Sequence, residues 1–228
     1  MEDIEIINLW KSNDKKINET LLLNRKNAEE ITKMKAQSFL SSMKPIKIFT
    51  VLVGILWVGI VGTIVANLFL FFYDKMSPFF LYSAMLQVIL TAIALIIYIY
   101  QTITIYQIDI NDQILATQEK IVKLKSTTLL VTRILFLQLP VWTTFYWNNS
   151  MFENGNLFLW ILQGIITISF TFVALWLFFN IKYENRNKKW FKLIFSGKEW
   201  IPLMNSMDLL SQIDEYYKES KAEQNVSN

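Results

Sequence analysis

Four blocks of the chain contain no Asp, Glu, Lys or Arg: Ile48–Tyr73, Met76–Ile108, Ile134–Phe152 and Asn154–Ile181. Charges are crowded into the segments between and beside them. About 20 helical residues cover the roughly 30 Å of a bilayer's hydrocarbon core. In lipid a backbone must satisfy its own polar groups, which a helix does. The pattern therefore predicts an all-α, polytopic membrane protein with four transmembrane helices over about 46–73, 78–106, 127–147 and 157–181. The connections after the first and third spans are short, so the spans should pair as two antiparallel hairpins. Amphipathic cytoplasmic helices complete the expected architecture.

The third block is the shortest. Its span should begin near Thr127, placing Arg133 in the first turns, where the guanidinium can snorkel to the headgroups. Pro140 should kink it, which neighbouring helices can accommodate.

Basic residues orient the chain. Every Lys and Arg except Lys75 lies before the first span, around the connector between the second and third, or after the fourth. By the positive-inside rule that side is the cytoplasm, with both termini on it. Aromatic residues such as Phe71, Tyr73, Phe80, Tyr146 and Trp147 cluster at the other ends of the spans, as interface anchors do. The expected location is a membrane that borders the cytoplasm, crossed several times. The amino end stays charged until Lys47, so the first span should act as its own uncleaved insertion signal.

Three segments on the cytoplasmic side carry helical periodicity. In the arm over 1–45, Ile7, Trp10, Ile17, Leu21, Ala28 and Ile31 follow heptad steps that Asp14 and Asn24 interrupt. Such a stripe packs on the protein's own helices or docks another protein; Trp10, Ile17, Leu21 and Ile31 are the candidate partner-binding anchors. In the connector 107–126, Ile110, Ile114, Ile121 and Leu124 keep the same spacing, and the second span should run on into it as a helix until a break near 126–128 starts the third. Asp109 and Asp112, one turn apart, read as solvated helix polarity. In the tail 182–228, Lys182, Arg186, Lys188, Lys189, Trp190 and Lys192 form a basic-aromatic run suited to an anionic membrane surface. Gly197 should cap the helix there in a left-handed conformation. Pro202 should open a last helix with Leu203, Met207, Leu210 and Tyr217 on one face.

The chemistry is sparse. The 228 residues include no Cys and no His, which removes disulfides, thiol nucleophiles, Cys/His zinc sites and the commonest general base. No Asp, Glu or Lys is expected deep in a span. That argues against ion-coupled transporters, proton pumps and intramembrane proteases, which carry ionisable or nucleophilic groups there. Neutral polar residues remain, of which Asn67, Gln87, Gln138 and Gln163 are singled out, one from each span. Hydrogen bonding between helices is their ordinary role. Gly59, Gly62, Thr63 and Ala66 form a small-residue face on the first span for close packing within the chain or in a homo-oligomer. No cofactor, metal or nucleic acid is implied, and a net charge of +3 is too small to suggest the last.

Asn8-Leu9-Trp10-Lys11, Asp14-Lys15-Lys16-Ile17, Leu21-Leu22-Leu23-Asn24 and Ser38 to Ser42 lie ahead of the first span. With Ile108-Asp109-Ile110 before Gln118 to Leu124, Leu137-Gln138-Leu139-Pro140 and Lys188-Lys189-Trp190, most of the chain resembles a family of uncharacterised four-helix integral membrane proteins of the Bacteroidetes type. Members of that family are often encoded beside alternative sigma factors, so the resemblance implies a regulatory role. It also implies that the membrane is a bacterial cytoplasmic (inner) membrane. Zinc-containing anti-sigma domains use His and Cys ligands, which this chain lacks.

The expectation from sequence is thus a non-enzymatic, membrane-tethered regulatory or adaptor protein. Its partners would be the bilayer and a cytoplasmic protein, in an anti-sigma-like role if the resemblance holds. A small channel or transporter subunit with Gln87, Gln138 and Gln163 facing a pore is the alternative, and a structural membrane protein is another.

Overall fold

A computed structural model describes residues 2–108, 114–148, 156–197 and 200–209. Asp109, Ile110, Asp112, the turn at 149–155, Leu210 and Tyr217 lie outside them. The described residues are helical throughout, without a strand. Four helical segments, Ile7–Phe71, Pro78–Tyr106, Ala116–Thr144 and Leu157–Asn180, are long and apolar enough to cross a membrane.

The first helix, α1 (Glu2–Phe71), is a single element of 70 residues. Arm and first span are therefore not separate units. Leu, Ile, Lys, Glu and Ala are abundant in the arm, and no glycine occurs before Gly54 to interrupt it. Pro45 lies inside α1, which continues through it although proline has no N–H to bond the carbonyl a turn earlier. A 3₁₀ turn at Tyr73–Lys75 leads to α2 (Pro78–Tyr106), with Pro78 at the first helical position, where an absent N–H costs nothing.

After α2 the chain departs from the sequence expectation. The second span does not run on through the connector; it stops at Tyr106, and α3 (Ile114–Phe136) crosses 126–128 unbroken. Hydroxyls in and just after this stretch bond back within the helix instead of breaking it. Thr127 Oγ1 donates to the Lys123 carbonyl at 2.8 Å, and Thr132 Oγ1 to that of Thr128 at 2.9 Å. The interruption falls later, at Leu137, before α4 (Gln138–Thr144). Pro140 has no N–H to close the usual bond to Phe136, and the Leu137 N–H is shared between the carbonyls of Arg133 and Ile134.

Then come α5 (Leu157–Asn180), a 3₁₀ turn at Tyr183–Asn185, α6 (Lys189–Ile194) and α7 (residues 201–209). Asn156 caps α5, its Oδ1 accepting from Phe158 N at 2.9 Å. Gly197 is not left-handed: no described glycine has a positive φ. Instead its carbonyl accepts from the N–H groups of Trp200 and Ile201, so it starts α7 rather than capping α6.

Helix α2 is the centre of the molecule, packed on α1 and on α3 and α4; α5 packs on α4 and α3. Apolar side chains such as Leu56, Ile165 and Phe172 point outward from the spans. A cluster of buried apolar residues lies at one end, where α1 has not yet entered the apolar block. Ala36, Leu40 and Met43 from α1 meet Ile105, Ile108, Ile121, Leu124, Leu203 and Met207. Each fully buried Leu or Ile contributes roughly 1.5–3 kcal/mol, so this junction is a main source of tertiary stability. Beside it, Leu129, Leu177 and Ile181 pack with Phe191 and Phe195 of the tail. At the opposite end Ser77 Oγ donates to the Trp147 carbonyl at 2.7 Å, and Phe80 meets Phe145 edge-on at 4.5 Å.

Candidate functional site

Of the features singled out from sequence, the arm has the plainest geometry. Trp10, Ile17, Leu21 and Ile31 are all exposed, Trp10 to 75%. Only from Ala36 onward does α1 bury a face. The arm's apolar stripe thus stays exposed among the described residues, whereas the following turns pack on α2, α3 and α7.

That buried stretch ends on a residue that sequence reasoning passed over. Lys47 is 1% exposed. Its Nζ donates to Gln101 Oε1 at 2.8 Å and lies 3.9 Å from the Tyr98 ring centroid and 5.1 Å from that of Trp200. Burying an ammonium is costly unless its protons and charge are matched. Here one amide oxygen and two aromatic faces contribute to that matching. The cluster joins three elements: Lys47 from α1, Tyr98 and Gln101 from α2, and Trp200 at the start of α7. Gln101 is fully buried, and its Nε2 has no acceptor among the described residues. A signal was present in the sequence: Ile46-Lys47-Ile48 sets one lysine between β-branched apolar residues at the edge of an uncharged block.

Arg133 is half-buried and makes its hydrogen bonds within the protein. Its Nε and Nη2 both donate to the Ile181 carbonyl, at 2.8 and 2.5 Å. This satisfies a carbonyl at the C-terminal end of α5 and places a cation at the negative end of the helix dipole.

The four neutral polar residues behave differently from one another. Gln138 Nε2 donates to Thr91 Oγ1 at 2.9 Å, tying α4 to α2. Gln163 Nε2 donates to the Thr143 carbonyl at 2.7 Å, tying α5 to α4. Asn67 Nδ2 bonds its own helix, to the Thr63 carbonyl at 2.9 Å. Gln87 is buried, and its Nε2 has no acceptor among the described residues. Gln138→Leu should therefore cost about 0.6–2 kcal/mol. A cycle with Thr91→Val, followed by thermal unfolding in detergent, should show non-additivity; strictly additive losses would deny the contact.

In the tail, Lys182, Arg186, Lys188, Lys189 and Lys192 are exposed. Trp190 is half-buried and meets Trp176 of α5 at 5.0 Å, edge-on. Arg186 stacks on the Tyr183 ring at 4.5 Å and Lys125 on the same ring at 3.7 Å. Burial raises the Tyr183 phenol's pKa; Arg186 opposes that rise and nearby Asp208 adds to it. Arg186 and Lys192 also line a half-open groove of about 420 Å³ with Phe191, Phe195, Met204 and Asp208.

No cluster of three or more His, Cys, Asp or Glu side chains is placed to hold a metal among the described residues. What the arrangement offers is surface: a free apolar stripe on a stiff arm, joined to the spans through a buried lysine. The chain matches no protein-family model, and no curated protein or solved structure shows significant similarity to it.

Proposed function

We propose that this protein is a membrane-tethered adaptor or regulator. Its four spans form two hairpins in a bacterial cytoplasmic membrane, both termini lie in the cytoplasm, and the arm docks a protein partner through Trp10, Ile17, Leu21 and Ile31. One observation carries the proposal: the arm is helical, yet no described residue covers its apolar face. A helix with such a stripe gains most of its stability by packing it against something. The regulatory character follows the class implied by the resemblance to sigma-linked membrane proteins.

The basic-aromatic tail acts as the anchor at the inner surface, with Trp190 and the exposed Leu193 toward the headgroups. Gln138 and Gln163 direct their amides to Thr91 and Thr143, which favours this role over a channel lined by those glutamines.

The test is recovery of crosslinked partner from native membranes, comparing wild type with Trp10→Ala and Leu21→Ala. Loss of one central anchor of about 2 kcal/mol should reduce recovery roughly thirtyfold. Undiminished recovery in both variants would remove the arm from the mechanism.

A further inference from the structure

The two faces of α1 are related in a way that identifies what covers the stripe. Assigning Ile7 to position a of a heptad puts Trp10, Ile17 and Ile31 at d, and Leu21 and Ala28 at a. The same register, carried forward without a skip, reaches Phe49, Leu52, Leu56, Gly59, Thr63, Ala66 and Leu70 inside the apolar block. From Lys35 onward, where α1 packs on the rest of the chain, the a and d positions stay exposed through Leu70. The residues α1 buries within the chain, Ala36, Leu40, Met43, Lys47 and Val65, fall at b, c and f, on the opposite side of the helix. A Cβ added at Gly59 would meet nothing within 4 Å.

We infer that α1 pairs in parallel with α1 of a second copy of this chain, along one seam running from the arm into the membrane. This rests on the adaptor reading of the arm and names its partner. Two copies inserted alike have their arms on the same side, so the membrane itself imposes the parallel arrangement. The intramolecular contacts leave the seam open, so pairing needs no rearrangement. Charge distribution agrees: Lys15, Lys16, Glu19, Lys26 and Glu30 take the outer b, c and f positions, and the g positions Asn13, Thr20, Asn27 and Met34 are uncharged. No g–e′ pair among these can then be like-charged. Sixty residues of seam extend ~90 Å, and a strip about 10 Å wide covers on the order of 900 Å² per copy, close to the roughly 800 Å² per partner of a standard interface. Asp14, Asn24, Lys35, Ser38, Ser42 and Pro45 interrupt the seam. Each meets its own counterpart in a parallel pair, which weakens those layers while fixing the register. In the lipid portion Gly59, Thr63 and Ala66 let two backbones approach closely.

The chain has no cysteine of its own, so single cysteines report cleanly. In the full chain in native membranes, Leu21→Cys and Ala66→Cys sit on the seam; Glu19→Cys and Ile64→Cys sit off it. Under a mild oxidant the seam variants should form disulfide-linked dimers at least about tenfold more than the off-seam variants, because only facing β-carbons come within disulfide reach. Leu21→Cys that is shielded from a membrane-impermeant maleimide but forms no dimer would overturn pairing between copies, leaving the arm covered by a different protein. Leu21→Cys labelled as fast as Glu19→Cys, again without dimer, would overturn both the pairing and the docking role of the arm.

Discussion

Lys47→Ala is expected to destabilise the detergent-solubilised protein by about 3 kcal/mol or more, the largest effect of any single substitution on the basic side chains. Two losses combine. Truncating a long buried stem between α1 and α2 leaves a cavity, which costs roughly 2–5 kcal/mol for apolar residues of similar length. Gln101 Oε1, in a fully buried residue, also loses a donor at 2.8 Å, and an orphaned buried acceptor costs about 1–3 kcal/mol. The components can be separated. Lys47→Met keeps the stem and should show only the polar loss. Adding Gln101→Leu to Lys47→Met should restore most of the stability, because replacing both members of a buried polar pair by apolar residues is often neutral or favourable. Thermal unfolding of the three variants decides the matter. If Lys47→Met matches wild type, the ammonium makes no net contribution where it sits.

The second large effect is expected at Arg133. Arg133→Leu removes both donors to the Ile181 carbonyl and should cost about 1.5–3 kcal/mol, with up to about 1 kcal/mol more from the helix dipole. The loss should be local to the place where α5 hands over to the tail. Limited proteolysis between 182 and 188 should accelerate along with the fall in unfolding temperature. Arg133→Lys keeps the charge but not the two-pronged geometry, and should fall between. Unchanged cleavage and unfolding in Arg133→Leu would mean that the guanidinium contributes nothing to holding the Ile181 carbonyl.

These two residues show where pattern reading stops. Lys47 and Arg133 both sit at the edge of an apolar block, and from spacing alone both read as ordinary boundary charges free to reach water. Their actual fates depend on residues far along the chain: Gln101 and Trp200 for one, Ile181 for the other. No local period records such pairings. The connector failed for a related reason. Ser126-Thr127-Thr128 resembles a helix boundary because hydroxyls compete for backbone groups, but here Thr127 bonds back within α3, and the discontinuity falls next to Pro140. Gly197 followed the same logic, its open backbone serving the start of α7 instead of a left-handed cap.

The positions of the four apolar helices were fixed by sequence, because exclusion of ionised side chains from lipid acts on each block independently of its neighbours. So was the existence of the arm's stripe, a property of one helix's own periodicity. The tertiary structure decided which face of α1 is used internally, and therefore which is left over. That division depends on where α2, α3 and α7 pack, and packing is a relation between distant segments that a one-dimensional pattern does not contain.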